Sequence, residues 1–160
     1  MKNYLFALLI FFTATALAQT DTRIYDIIQK VSAKNIEADI TTLANFGTRN
    51  TFSDTLSSTR GIGAARRWIK AQFDQISLNC EECLEVFYQK DLVKAASSNR
   101  VPRDTWVVNV VAIQKSKTGS NRYIIISGDI DSRNSDGSDF IKDAPGANDN
   151  ASGMAGAIEA

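Results

Sequence analysis

The chain has no histidine in its 160 residues, two cysteines, two prolines and no excess of either charge. Without imidazole there is no Ser-His or Cys-His nucleophile pair and no histidine general base. The commonest nitrogen ligand of metals is also missing, so any ion must be held by carboxylates, carbonyls or thiolates. Eighteen basic residues against 18 acidic ones give zero formal charge. That balance offers no electrostatic ground for nucleic acid or an anionic membrane as partner. The composition, 44% apolar and 22% charged, is that of an ordinary globular protein, and the length predicts one domain. Aspartate and glutamate are left to carry any chemistry.

The first residues read as an export signal. Lys2 supplies a positive start, residues 5–12 form an unbroken apolar run, and Ala16-Leu17-Ala18 is a small-x-small cleavage site before Gln19. A membrane anchor needs about 20 apolar residues, and Thr13 and Thr15 already dilute this run. The expected organisation is a signal peptide over 1–18 and a mature chain over 19–160. The mature chain is expected in a periplasmic or extracellular space, with no membrane association after cleavage.

Cys80 and Cys83 form a C-x-x-C with three readings. A thioredoxin-like pair wants a helix starting at the first cysteine, whereas a strand-like segment follows Cys83. A four-cysteine zinc site lacks its second pair. A local disulfide in an oxidising compartment, tying a helix end to a strand start, is the plainest.

Residues 21–46 predict two helical pieces, with Ile24, Ile27, Ile28 and Val31 on one face and Ile36, Ile40, Leu43 and Ala44 repeating the spacing. Gly47 stops this run, and a polar, hydroxyl-rich loop follows to Thr59. A third helix is predicted over 60–76, with a stripe of Ile62, Ala65, Ile69, Phe73 and Ile76 and with Arg66, Arg67 and Lys70 mainly outside it. Residues 84–89, 105–114 and 123–127 predict strands, the last two as a hairpin around Gly119. The apolar 123–126 run is typical of a sheet centre covered on both faces. With a small-residue helix starting near Ala151, the order predicts a three-layer α/β fold.

Aspartates cluster at 129, 131, 136, 139, 143 and 149. Asp129 and Asp131 follow the apolar strand, where open α/β sheets place their sites, and their spacing points both carboxylates one way in an extended chain. Asp149 begins the next helix, where N–H groups favour negative charge. Converging carboxylates repel unless a cation joins them. A solvated acidic surface loop is the simpler alternative. An EF-hand fails, because Phe140 stands where its bidentate glutamate is needed.

Gly128-Asp129-Ile130-Asp131-Ser132-Arg133 and Ala144-Pro145-Gly146-Ala147-Asn148-Asp149-Asn150-Ala151-Ser152-Gly153 together resemble the di-zinc aminopeptidases of metallopeptidase family 28. Gly47-Thr48-Arg49 and residues 59–65 are similar to the N-terminal part of that family, so the resemblance runs from about residue 30 onward. It implies an αβα fold with a mixed central sheet, incomplete in this chain, and two zinc ions that activate a water against a peptide bond. Asp149 matches the bridging metal ligand, Asp129 stands in the place of a histidine ligand, and Asp131 matches an aspartate that orients the site. An oxygen ligand at 129 leans the site toward harder ions. The family's unusual peptide bond falls between Asp149 and Asn150.

The family's general-base glutamate and further ligands are expected beyond residue 160, so this chain is expected to be an inactive N-terminal portion of an exported aminopeptidase acting on peptides with a free N-terminus. The rival expectation is a non-catalytic exported module that binds a divalent cation through the Asp-rich loop.

Overall fold

A computed structural model of the protein describes residues 21–160, in two compact units that divide after Ser32. The expected signal peptide over 1–18 lies outside the described residues. Helix α1, Thr22–Lys30, lies in the first unit. Asp21 caps it by accepting from the backbone N–H of Arg23 at 3.0 Å, and Lys30 sits in the last turn, where the helix dipole favours a cation. None of its residues is buried.

The second unit contains α2 (Ala33–Asn45), α3 (Gly61–Asn79), β1 (Leu84–Val93), β2 (Thr105–Gln114), an irregular turn at Ala147–Ala151 and α4 (Ser152–Glu159). Its core joins Leu43 of α2, Ala65 and Ile69 of α3, and Ala151 and Met154 at the start of α4. Ile40, Phe46, Trp68, Val110 and Ile130 close around them. Thus the 3.6-residue stripes expected on α2 and α3 do form the core. One member of the α3 face is not aliphatic. Arg66, expected outside the stripe, is buried, because position 66 is four residues on from Ile62 and three before Ile69.

Ser77 fixes the passage from α3 to β1, donating its hydroxyl to Leu84 O at 2.9 Å and accepting from Leu84 N at 3.2 Å. A disulfide joins Cys80 and Cys83 across this turn. Glu81 and Glu82 take left-handed backbone angles, φ 60° and 59°.

The sheet corrects two expectations. β1 runs to Val93, past the predicted end at Gln89, because its ten residues pair antiparallel with all of β2, Leu84 opposite Gln114 and Val93 opposite Thr105. The charged pair Lys90-Asp91 ended the apolar alternation but faces Val108 and Val107 without breaking the ladder. β2 therefore pairs with the preceding strand, and the hairpin expected with 123–127 does not form. Residues 123–127 have no strand pairing among the described residues. Tyr123, Ile124 and Ile125 are 87%, 94% and 86% exposed.

The described fold is thus mixed α/β with a two-stranded antiparallel sheet, and α3 packs on both strands. No helix among the described residues is long and apolar enough to cross a membrane.

At the end of the unpaired segment the backbone returns to the core. A Cβ on Gly128 would lie 2.4 Å from Met154 N and 2.5 Å from Gly153 C, so only glycine permits the approach to the first turn of α4.

Candidate functional site

The loop after α2 is laced to two later segments. Thr48 forms a parallel bridge with Ala144, whose N–H donates to Gly47 O at 2.8 Å. Arg49 N donates to Ser132 Oγ at 3.0 Å, Ser132 N donates back to Arg49 O at 3.3 Å, and the Ser132 hydroxyl donates to Ala144 O at 2.5 Å. Loop 47–50 therefore touches both acidic stretches through backbone groups, which any wrong register would leave unpaired.

At the centre lies the Arg49 side chain, 1% exposed. Nε donates to Ile130 O at 2.8 Å, Nη1 to Leu43 O and Pro145 O at 2.7 Å each, and Nη2 to Gly146 O at 3.1 Å. Four carbonyls on three stretches of chain share one planar fork, a geometry that lysine cannot supply. Burial pushes the guanidinium below its usual pKa, and the nearby charge of Asp131 acts against that. Sequence reading named Arg49 only as part of a string. A charged residue in a polar loop carries no periodic mark of burial.

The three expected aspartates hang on this frame. Asp129 and Asp131 flank Ile130, whose carbonyl Arg49 holds, and both are exposed. Thr51 Oγ1 donates to Asp131 Oδ2 at 3.5 Å. Asp149 lies in the irregular turn three residues after Gly146, with φ −126° and ψ 91° where a helix would need other angles. Gly146 enters that turn in the left-handed region, φ 50°, and its carbonyl also accepts from Ala151 N at 3.0 Å. The Asp149–Asn150 peptide is cis. Asn150 Oδ1 then accepts from Gly153 N at 2.7 Å, capping the start of α4.

The structure therefore brings together the segments that bear Asp129, Asp131 and Asp149. It does not gather a full ligand set: among the described residues no three of His, Cys, Asp and Glu form a group able to hold a metal ion. The donors on these segments are all oxygens on exposed side chains, so by themselves they do not fit a complete zinc centre. Asp136, Asp139 and Asp143 serve the intervening loop instead. Asp139 Oδ1 accepts from Ile141 N and Lys142 N at 3.0 Å each, and Asp143 pairs with Arg60 at 2.6 Å.

Residues 109–160, which carry both acidic segments, match the model of peptidase family M28. It is 42% identical over 139 residues to a probable zinc metalloprotease of Leptosphaeria maculans, a match covering 87% of this chain and 32% of that protein. A probable zinc metalloprotease of Pyrenophora teres f. teres is 41% identical over 87% of this chain and 28% of its own length. One of Pyricularia oryzae is 37% identical over 87% of this chain and 27% of its own length. The chain thus spans about a third or less of these curated relatives. No solved structure matches it.

Proposed function

We propose that this chain supplies the N-terminal part of an exported zinc metallo-aminopeptidase, and that Asp129 and Asp149 are its contribution to the metal site. The observation that carries the reading is the Arg49 fork, which ties the carbonyl between Asp129 and Asp131 to the two carbonyls that open the Asp149 turn. In this reading Asp149 would be a ligand shared by two ions, Asp129 would ligate one of them and Asp131 would orient the site from behind, as outer partners do in metal centres generally. The names of the relatives support zinc and a peptide substrate. The free N-terminus of the substrate, the number of ions and the three-layer αβα architecture belong to the same proposal. So does export, with a mature chain beginning at Gln19.

Taken alone the chain is proposed to be catalytically silent, since no group of three ligands assembles among its described residues. Equilibrium dialysis with Zn²⁺ and Mn²⁺ tests the metal assignment. Asp149→Asn and Asp129→Asn should each weaken binding about tenfold, a change of about 1.4 kcal/mol. Metal affinity unmoved by both variants would refute it. Stabilisation by Ca²⁺ with none by Zn²⁺ would favour a cation-binding module instead. Turnover of an aminoacyl anilide by the pure chain would overturn the claim of silence, and N-terminal sequencing of the exported protein checks cleavage before Gln19.

A further inference from the structure

A groove of about 770 Å³ opens beside the acidic segments, between the 51–56 loop and the sheet, and Arg66 of α3 and Lys90 of β1 both line it. Thr51, whose hydroxyl reaches Asp131, lies on its wall, so the groove borders the candidate site. Arg66 is 8% exposed, and its Nε has no hydrogen-bond partner. An orphaned donor on a buried cation is costly, and native structures seldom leave one without a role. Lys90 makes no ion pair among the described residues and rests only over the Tyr88 ring, at 5.7 Å.

The other charges in the groove are already committed. Arg103 donates to Phe52 O at 2.5 Å and lies over the Phe52 and Phe140 rings. Asp54 accepts from Leu56 N and Ser57 N, and Asp104 from Lys94 Nζ and Ala95 N. What remains is a pair of cations, one buried and one on the strand, between the apolar walls of Phe52 and Trp106.

We propose that this groove binds a carboxylate of a peptide, received by Arg66 and Lys90 while Phe52 and Trp106 flank its apolar stem. A planar two-oxygen anion suits a guanidinium on the wall of such a groove. Burial holds the Arg66 pKa down, with Asp131 and Tyr88 offsetting it, and a bound anion would act in the same direction as they do. Only the peptide nature of the ligand rests on the metallopeptidase reading; the anion site stands on the groove itself.

The test is calorimetric titration of the whole chain in EDTA, without metal or turnover, with three probes: Ala-Ala-Ala free acid, Ala-Ala-Ala amide and Ala-Glu-Ala amide. A carboxylate-bearing probe should bind at least tenfold tighter than Ala-Ala-Ala amide. Preference for the free acid identifies a C-terminal carboxylate, and preference for the glutamate peptide identifies an acidic side chain. Arg66→Met and Lys90→Met should each reduce that preference about tenfold. Lys90 is an exposed strand residue, so its variant keeps the test decisive should Arg66→Met fail to fold. Equal affinity for all three probes, no binding of any, or a preference untouched in Lys90→Met overturns the proposal. Absence of metal binding would count against the metallopeptidase reading and leave this result as it stands.

Discussion

Loop 47–53, bonded to the acidic region, and segment 123–127, which leads into it, are both short irregular stretches, and they are treated in opposite ways. The loop is polar in sequence yet buries Thr48, Arg49 and Asn50; Thr48 and Arg49 are tied to distant segments, and Asn50 bonds within the loop, its N–H donating to Thr48 Oγ1. The segment is aliphatic in sequence yet lies open, with no ladder of its own. Hydrogen bonding to specific carbonyls can bury a charge where hydrophobicity alone leaves four aliphatic-rich positions exposed. An apolar strand needs neighbours on both edges and both faces before its side chains are worth burying.

The largest test of this contrast removes the charge. Arg49→Ala removes one donor from each of four carbonyls; Leu43 O and Gly146 O keep a second, from Phe46 N and Ala151 N, and a buried carbonyl left orphaned costs about 1–3 kcal/mol. A loss of about 4 kcal/mol or more in urea unfolding is expected, a large part of a typical domain's stability. Arg49→Lys should recover little of it. Arg60→Ala removes an ion pair whose side chains are 44% and 66% exposed, and should cost under about 1 kcal/mol. If Arg49 and Arg60 prove equivalent, the idea of a frame built on one guanidinium is wrong.

A second pair of substitutions probes the apolar side. Ile69→Ala, at a fully buried position, should cost about 2–5 kcal/mol. Ile124→Lys, at 94% exposure, should stay within about 0.5 kcal/mol. A large penalty at 124 would mean that something covers the segment in solution.

Smaller again is the disulfide. Its loop spans a sequence separation of three, and on chain entropy reduction should cost about 2 kcal/mol at most. A thermal melt with and without reductant measures it. The smallest effect is acid sensitivity in the 136–142 loop. The backbone N–H groups of Lys142 and Ile141 hold the Asp139 carboxyl at about 2, below its ordinary 3.8. That stabilisation is present above pH 3.8 and fades as the pH falls through about 2. Asp139→Asn should flatten this part of an acid-unfolding curve; an unchanged curve would remove the loop from the comparison.

Local structure was the legible part of this chain. The spacing of Ile36, Ile40 and Leu43, and of Ile62, Ala65 and Ile69, placed α2 and α3 within a few residues, and Gly47 marked the stop. Strand pairing was not legible, because β2 could satisfy its backbone with either neighbour and periodicity does not name a partner. The aspartates were visible as a pattern and through a resemblance. The residues that hold their segments were not: Arg49 and Arg66 carry charge, and a charge reads as surface until its carbonyl partners or its groove are known. In α3 the correct face was in plain view at 62, 66, 69 and 73, and only the identity of residue 66 argued against it.

Gly128 carries a consequence for reading this protein's history. Its backbone meets that of Gly153 and Met154 so closely that a single added methyl has nowhere to go. Selection would therefore forbid nearly every substitution there, next door to Asp129, although a glycine has no side chain with which to bind or react. In a mutational scan or a comparison across species the two adjacent positions would look equally intolerant. Invariance at 129 could speak of chemistry, while invariance at 128 would speak only of room.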